Sequence, residues 1–180
     1  MKTVMPFDNT TRTLLRRYTT DPPPSVAYWY GVWNTILTAL FPSSQGYVIT
    51  PQLGVAEDLK THIPDFVTEV AKMSESTPGR SLVLRTVLVV KIRNTLHWDS
   101  DKGKDSLMRH IRIQTDAAFA DTEVGKVYWI GVIGPHWRYG ETEKGYGGQD
   151  PRPLIAWHNV TQSDASYDDL MRLADLVAIM

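Results

Sequence analysis

The sequence predicts a single mixed α/β domain in which a helix precedes three strands, a second helix, two more strands and a final helix. A chain of 180 residues suits one domain and can bury most of its apolar surface. Its composition, 42% hydrophobic and 22% charged, is that of an ordinary globular protein. Apolar residues recur with helical spacing in some segments and form β-branched runs in others. We expect a mobile arm at 1–24 and one domain at 25–180.

The amino-terminal half provides one helix and two strands. Residues 1–24 are polar and end in three consecutive prolines, which disfavour a helix just before them. Residues 25–41 repeat apolar side chains at helical spacing and stop at Pro42, which predicts a helix with one buried face. Two short strands are predicted at 47–50 and 62–73, separated by a polar connection.

The carboxyl-terminal half begins with the clearest strand of the chain. Residues 81–94 are long, dense in β-branched side chains and typical of the centre of a sheet. A helix is predicted at 105–120, where apolar residues again follow helical spacing. Strands are predicted at 124–135 and 153–160, with a glycine-rich, charged loop between them, and a last helix at 166–180.

The composition excludes several kinds of chemistry. The chain contains no cysteine, which excludes disulfides, thiolate zinc sites and cysteine nucleophiles. No apolar run is long enough for a signal peptide or a membrane span, so we expect a cytoplasmic or nuclear protein without membrane contact. The net charge is only -1, but between residues 80 and 112 eight Lys and Arg accompany three Asp. This central segment is a candidate surface for an anionic partner.

Pro64 and Asp65 stand near the start of the second predicted strand, and the long third strand ends in the charged triplet KIR at 91–93. With the preceding helix and the helix and strand that follow, this arrangement resembles the PD-(D/E)XK, or restriction-endonuclease-like, superfamily over roughly residues 25–135. In its aromatic segments the chain also resembles small members of this group from mushroom-forming fungi. The resemblance implies a restriction-endonuclease-like core and, in active members, Mg²⁺-dependent hydrolysis of phosphodiesters.

The motif of this superfamily has an acid two residues before a lysine on the third strand, and this chain departs from it. Lys91 stands at the position of the acid, and Arg93 at that of the lysine. Lysine cannot ligate Mg²⁺, and arginine stays protonated and activates water poorly. We therefore expect Asp65 to pair with Lys91, so that this ion pair replaces the metal. Alternatively, Lys91 and Arg93 only mark a solvated strand end without a site.

A route to activity stays open through another carboxylate. Glu69 lies four residues after Asp65 and shares its face of the strand if the strand is regular, so the two acids could form a migrated metal-binding pair. The pair would lie near Gln52 or Gln114, and Gln114 resembles the helix glutamine of some superfamily members. In this alternative the chain is a Mg²⁺-dependent nuclease with Asp65 as a metal ligand.

Two groups of residues are candidates for binding nucleic acid. A basic cleft would combine Lys91 and Arg93 with Arg109 and Arg112 of the second predicted helix. The second group mixes aromatic, imidazole and guanidinium side chains in predicted loops, as a surface for single strands would; it consists of His97, Trp98, His136, Trp137, Arg138 and Tyr139. The alternative role of this second group is to anchor the loops.

The leading hypothesis from the sequence is a catalytically degenerate nuclease-fold protein that binds nucleic acid or another anionic partner without cleaving it. It expects no cofactor, and Mg²⁺ only if the chain is active. The two alternatives are the Mg²⁺-dependent nuclease and a protein-interaction scaffold that binds no nucleic acid. The oligomeric state and the choice between DNA and RNA do not follow from the sequence.

Overall fold

In the computed structural model, the described residues form a mixed α/β fold with four helices and a mixed sheet of seven strands. At this level the predicted fold class is confirmed. The described ranges are 7–53, 66–74, 83–120, 124–145, 150–160 and 164–180. No helix within these ranges is both long and apolar enough to cross a membrane.

The strands lie across the sheet in chain order. They are β1 Tyr47–Leu53, β2 Phe66–Ser74, β3 Val83–Arg93, β4 Lys126–Ile133, β5 His136–Glu143, β6 Arg152–Pro153 and β7 His158–Asn159. The order is β1-β2-β3-β4-β5-β6, with β7 also paired to β5. β3 and β4 are parallel, and the other neighbouring pairs of described strands are antiparallel. A parallel pair needs a crossover connection, which the helix between β3 and β4 provides.

The helices are α1 Asn9–Thr20, α2 Ala27–Leu40, α3 Asp101–Ala120 and α4 Asp164–Ala178. α2 ends just before Pro42, as its sequence predicts. α3 begins at Asp101, and not at 105 as predicted. Its first turn includes Gly103, where a side chain would collide with the backbone oxygen of His97, so the missing side chain lets the helix pack against the preceding turn.

Hydrophobic clusters cover both faces of the sheet. On one face α1, α2 and α4 contribute buried side chains to a large cluster that includes Leu15, Trp33 and Leu173. On the other face α3 packs over β3 and β4 through Leu107 and Ile111. β3 is therefore covered on both sides, which explains why its sequence is a continuous apolar run and not an alternation.

One bulge changes which β3 side chains share a face. The register between β2 and β3 shifts by one residue at Ala71, which leaves Val87 without a partner on β2. Val87 consequently joins Leu88 in the cluster beneath α2 and α4, whereas simple alternation would place it with Val89. After the bulge the alternation holds, so Lys91 shares the α3 face with Val89.

The helix α1 lies within the segment for which the sequence predicts an arm without a helix. Asp8 caps it by accepting a hydrogen bond from the Thr11 N–H at 2.7 Å, and this bond lowers the pKa of Asp8. Leu15 is only 2% exposed and belongs to the large cluster. The helix was not predicted because its few apolar residues show too little periodicity to separate it from a polar connection. Mobility of this segment stays a prediction.

The glycine-rich stretch that the sequence predicts as a loop begins with a strand. β5 pairs with β4 through a tight hairpin in which Gly134 has a φ of 58°, a conformation that favours glycine. His136, Trp137 and Arg138 therefore lie on a strand and not in a loop, which corrects the prediction. The charges that suggested a loop are compensated in the fold, since Glu141 accepts hydrogen bonds from two cationic side chains.

The strand predicted at 153–160 is replaced by β6 and β7, each two residues long. Both pair with β5. Proline has no N–H to donate to a ladder, and Pro151 and Pro153 flank Arg152 here, so pairing stays short. The remaining predicted helices and strands are confirmed within the described residues, with ends that differ by a few residues, and the predicted strand positions 62–65 and 81–82 lie outside the described residues.

Candidate anion-binding site

The candidate site lies at the edge of the sheet where the parallel strands β3 and β4 end. The two strands finish in register, with Arg93 beside Ile133, and the Gly134 N–H donates a hydrogen bond to the Arg93 carbonyl oxygen at 3.0 Å. A 3₁₀ turn at Thr95–His97 and the first turns of α3 follow directly. In open α/β sheets, ligands bind at the carboxyl ends of parallel strands.

Arg93 is held between the strand end and α3. Its Nη2 donates a hydrogen bond to Ser106 Oγ at 3.1 Å and lies 2.7 Å from His110 Nδ1. Because a guanidinium can only donate, Nδ1 must be unprotonated when this contact forms, so His110 carries any ring proton on Nε2. Ser106 and His110 are four residues apart on α3 and therefore lie on the same side of the helix.

Lys91 lies on the same strand face and is only 1% exposed. Burial and the neighbouring charge of Arg93 lower the pKa of Lys91 to about 7. Burial also lowers the pKa of Arg93; Tyr30 opposes this shift and Arg109 adds to it. The pKa of His97 is lowered by burial and by Arg93. Arg93 and Arg109 therefore lie close enough together for their positive charges to repel, and the charge of Arg93 also favours the neutral forms of Lys91 and His97.

No carboxylate among the described residues pairs with Arg93, whose described partners are Ser106 and His110. A half-buried guanidinium loses part of its hydration, and repulsion from Arg109 adds to that cost. We call Lys91, Arg93 and Arg109, together with the neighbouring imidazoles of His97 and His110, the cationic edge. An anion bound beside Arg93 would compensate the charge of this guanidinium.

The predicted partner of Lys91 is Asp65. Asp65 and Pro64 lie outside the described residues, and so does the predicted ion pair between Asp65 and Lys91. Lys91 and Arg93 offer nitrogen donors where Mg²⁺ needs oxygen ligands, so the described motif positions do not fit this metal. Within the described ranges, no group of three or more His, Asp or Glu side chains could hold a metal ion.

The two other predicted catalytic residues lie away from the end of β3. Glu69 stands opposite Val89 and accepts a hydrogen bond from Thr86 Oγ1 at 3.1 Å, toward the start of β3. Burial raises the pKa of Glu69, and the Thr86 hydrogen bond opposes this shift. Gln114 is buried in α3 at 4% exposure, one turn beyond His110. The side chain of Gln52 lies outside the description.

The predicted nucleic-acid residues are divided by the fold. Arg109 lies near Arg93, whereas Arg112 is engaged by Asp150 at 3.2 Å and Asp116 at 4.0 Å. Trp137 is fully buried and donates a hydrogen bond from Nε1 to Ser166 Oγ at 2.7 Å, so its ring offers no surface to a nucleic acid.

His136 and Arg138 belong to a cluster of rings beside the cationic edge. The His136 ring stacks on Trp98 with centroids 3.5 Å apart and planes 9° from parallel. Trp157 meets Trp98 edge to face at 5.2 Å, and the Arg138 guanidinium lies 4.5 Å from the Trp157 ring centroid. We call Trp98, His136 and Trp157 the ring cluster.

Sequence reasoning missed several members of this site. Ser106 and His110 carry a usable signal, because their spacing of four places two polar side chains on one side of a predicted helix. Trp157 carries no such signal, since it reaches Trp98 only through the pairing of β7 with β5. Its place depends on contacts far apart in the chain.

Comparison with known proteins adds no family to this description. No family model, curated protein or solved structure matches the chain. The class that the fold and the site define is a mixed α/β domain with a cationic edge at the carboxyl ends of its parallel strands.

Proposed function

We propose that this chain binds nucleic acid through its cationic edge and does not cleave it, as a catalytically degenerate relative of the PD-(D/E)XK superfamily. The observation that carries the proposal is Arg93, a half-buried guanidinium that no described carboxylate neutralises and whose pKa burial and the neighbouring charge of Arg109 both lower. Phosphate oxygens suit such a group, because arginine donates two parallel hydrogen bonds to them.

The absence of cleavage follows from the chemistry at the motif positions. A metal-dependent nuclease polarises the phosphate and activates water with a divalent ion held by oxygen ligands. Lys91 and Arg93 supply positive charge and no such oxygens. The order α2, β1, β2, β3, α3, β4 is the order on which the superfamily resemblance rests, and it supports the proposed kinship.

Binding can be tested by fluorescence anisotropy with labelled DNA and RNA oligonucleotides over a range of salt concentrations. We expect affinity to fall as salt rises, because phosphate contacts release condensed counterions. Arg93→Ala should weaken binding about tenfold at low salt, corresponding to about 1.4 kcal/mol. Arg16→Ala, on the exposed side of α1, is the matched control and should change little. Failure of the wild type to bind any oligonucleotide at low salt would refute the proposal.

The same preparations test for cleavage. Plasmid and RNA incubated with Mg²⁺ or Mn²⁺ should remain intact. Cutting that disappears in Asp65→Ala would instead establish the nuclease alternative built on Asp65 and Glu69. A double variant, Lys91→Glu with Arg93→Lys, restores the acid and the lysine of the superfamily motif. Metal-dependent cutting by this variant alone would support descent from an active nuclease.

A protein-interaction scaffold is the second candidate, favoured by apolar side chains exposed at one end of β2 and β3. Met73 and Leu84 lie opposite each other there, 44% and 53% exposed, and Val83 is 37% exposed. Exposed apolar patches mark interaction surfaces when they are contiguous. Self-association that depends on Leu84, together with no binding to nucleic acid, would favour this candidate over the first.

A further inference from the structure

The cationic edge and the ring cluster share one row of the sheet. Arg93 is in register with Ile133 on β4, and Ile133 is in register with His136 on β5. Residues in register on neighbouring strands point to the same face, and each step between strands is about 4.8 Å. The Arg93 and His136 positions are therefore about 10 Å apart on the α3 face.

The ring cluster has the properties of a stacking platform. Trp98 and Trp157 are half-buried, so part of each ring stays accessible. Burial and the charge of Lys104 lower the pKa of His136, while Asp99 opposes this shift, so the net effect favours the neutral form of the imidazole that stacks on Trp98. The imidazole covers one face of the Trp98 ring, so a base that stacks on this indole would use its other face.

Lys104 occupies the position that a nucleobase would take. Its Nζ lies 4.5 Å from the centroid of the Trp98 ring. A cation over a partly exposed ring contributes less free energy than a base stacked on it, so a base can displace this side chain. The displaced ammonium is then free to contact the phosphate of the same strand. Binding therefore replaces the contact between Lys104 and the Trp98 ring with two contacts to the ligand. A base stacks on Trp98, and the Lys104 ammonium contacts a phosphate.

Leu96 projects from the turn that connects the cationic edge with the ring cluster. It is 85% exposed, the highest exposure among the large apolar side chains described. It lies three residues after Arg93 and two before Trp98. An apolar side chain in this position can pack against the face of an unpaired base.

We propose that the ligand of this edge is single-stranded nucleic acid, with a base stacked at the ring cluster and a phosphate at Arg93. This inference rests on the proposed function and narrows it. Bases in a duplex are already stacked on one another and cannot reach the rings, whereas an unpaired strand exposes every base. The rings lack the patterned hydrogen-bond donors and acceptors that read base edges, so binding should depend little on base sequence.

The test compares three ligands: a labelled oligothymidylate of about twelve nucleotides, the corresponding duplex, and inorganic polyphosphate of similar charge as a base-free competitor. Arg93→Ala should weaken both oligothymidylate and polyphosphate. Trp98→Ala should weaken oligothymidylate about tenfold and polyphosphate less than about twofold. The wild type should bind the duplex more weakly than the single strand.

Leu96→Ala keeps the test informative if removal of Trp98 impairs folding, because this side chain is exposed. It should weaken oligothymidylate about threefold and leave polyphosphate unchanged. Ile179→Ala, at 82% exposure, is the matched control and should change neither. The inference would be overturned if the Trp98 and Leu96 variants lost equal affinity for oligothymidylate and polyphosphate, or if the wild type bound the duplex more tightly than the single strand. In either case, a loss of affinity in Arg93→Ala would still support anion binding. No binding of any ligand would overturn both.

Discussion

Glu141 and Arg93 differ in whether the fold compensates their charges. Glu141, 5% exposed, accepts hydrogen bonds from Lys126 and from Arg152, the first at 2.7 Å. These bonds lower its pKa in spite of burial, which acts to raise it. Arg93 has a hydroxyl and an imidazole as described partners and other cations nearby. The contrast identifies Arg93 as the group whose charge an external anion would compensate.

Lys91 should make the free energy of unfolding depend on pH between about 7 and 10.5. Its pKa of about 7 in the folded protein lies below its ordinary value of 10.5, so between these values the unfolded chain binds more protons. The free energy of unfolding should therefore rise with pH in this window, relative to Lys91→Met. The rise should reach a few kcal/mol, since one pKa unit corresponds to about 1.4 kcal/mol. Urea unfolding of both proteins from pH 6 to pH 10.5 measures it.

Lys102→Met is the control for this experiment. Lys102 is an exposed lysine in the first turn of α3. The difference in the free energy of unfolding between Lys102→Met and the wild type should stay constant across this pH range. If the difference between Lys91→Met and the wild type is constant as well, Lys91 is not desolvated in the folded state.

At the level of elements, α1 shows how a short helix can depend on tertiary packing. It has no acidic residue in its first turn, and twelve residues are too few for stability in isolation. Its capping residue Asp8 and its buried Leu15 supply local and tertiary support respectively. α1 should therefore form only together with the cluster beneath α2.

Leu15→Ala tests whether α1 is part of the cooperative core. Leu15 is 2% exposed, and truncating a buried leucine removes contacts and leaves a cavity. We expect a loss of about 2 to 4 kcal/mol in the free energy of unfolding, measured by urea titration. Leu14→Ala, at a half-buried position one residue earlier, should cost less. Equal, small losses in the two variants would indicate that residues 9–20 behave as the predicted mobile arm.

For the molecule as a whole, the two ends of β4 differ in how their charged groups are paired. The cationic edge lies at the carboxyl end of this strand. At its amino end, Glu141, Glu143, Asp150 and Arg152 line a cavity of about 360 Å³. The eight residues of β4 place the two ends about 25 Å apart. Lys126, Arg152 and Arg112 pair with the carboxylates at the amino end, whereas Arg93 at the carboxyl end has no described carboxylate partner.

Divalent ions should not stabilise the folded chain. A ligand that binds only the folded state raises its melting temperature by mass action. In the proposed function Lys91 and Arg93 stand where a metal would need oxygen ligands, so millimolar Mg²⁺, Mn²⁺ or a chelator should leave the melting temperature unchanged in a thermal-shift assay. A rise with Mn²⁺ that Asp65→Ala or Glu69→Ala removes would instead reveal the metal site of the nuclease alternative.

The parts of the fold that were predictable are those that local pattern encodes. α2 shows the helical repeat and a terminating proline, β3 is a long β-branched run, and α3 again shows helical spacing. β5 was missed because a strand rich in charge and glycine has no apolar alternation to reveal it. Its backbone pairing with β4, β6 and β7 makes it a strand, and this pairing cannot be recognised from the composition of the segment itself.

By itself, the sequence determined the mixed α/β class, the lack of thiol chemistry and the two positive side chains at the end of β3. The tertiary structure decided what surrounds them. It brought Ser106 and His110 to Arg93, stacked His136 on Trp98, and buried Trp137 in the core. Periodicity along a chain records which face of an element is apolar, but strand pairing and helix packing select which distant side chains meet.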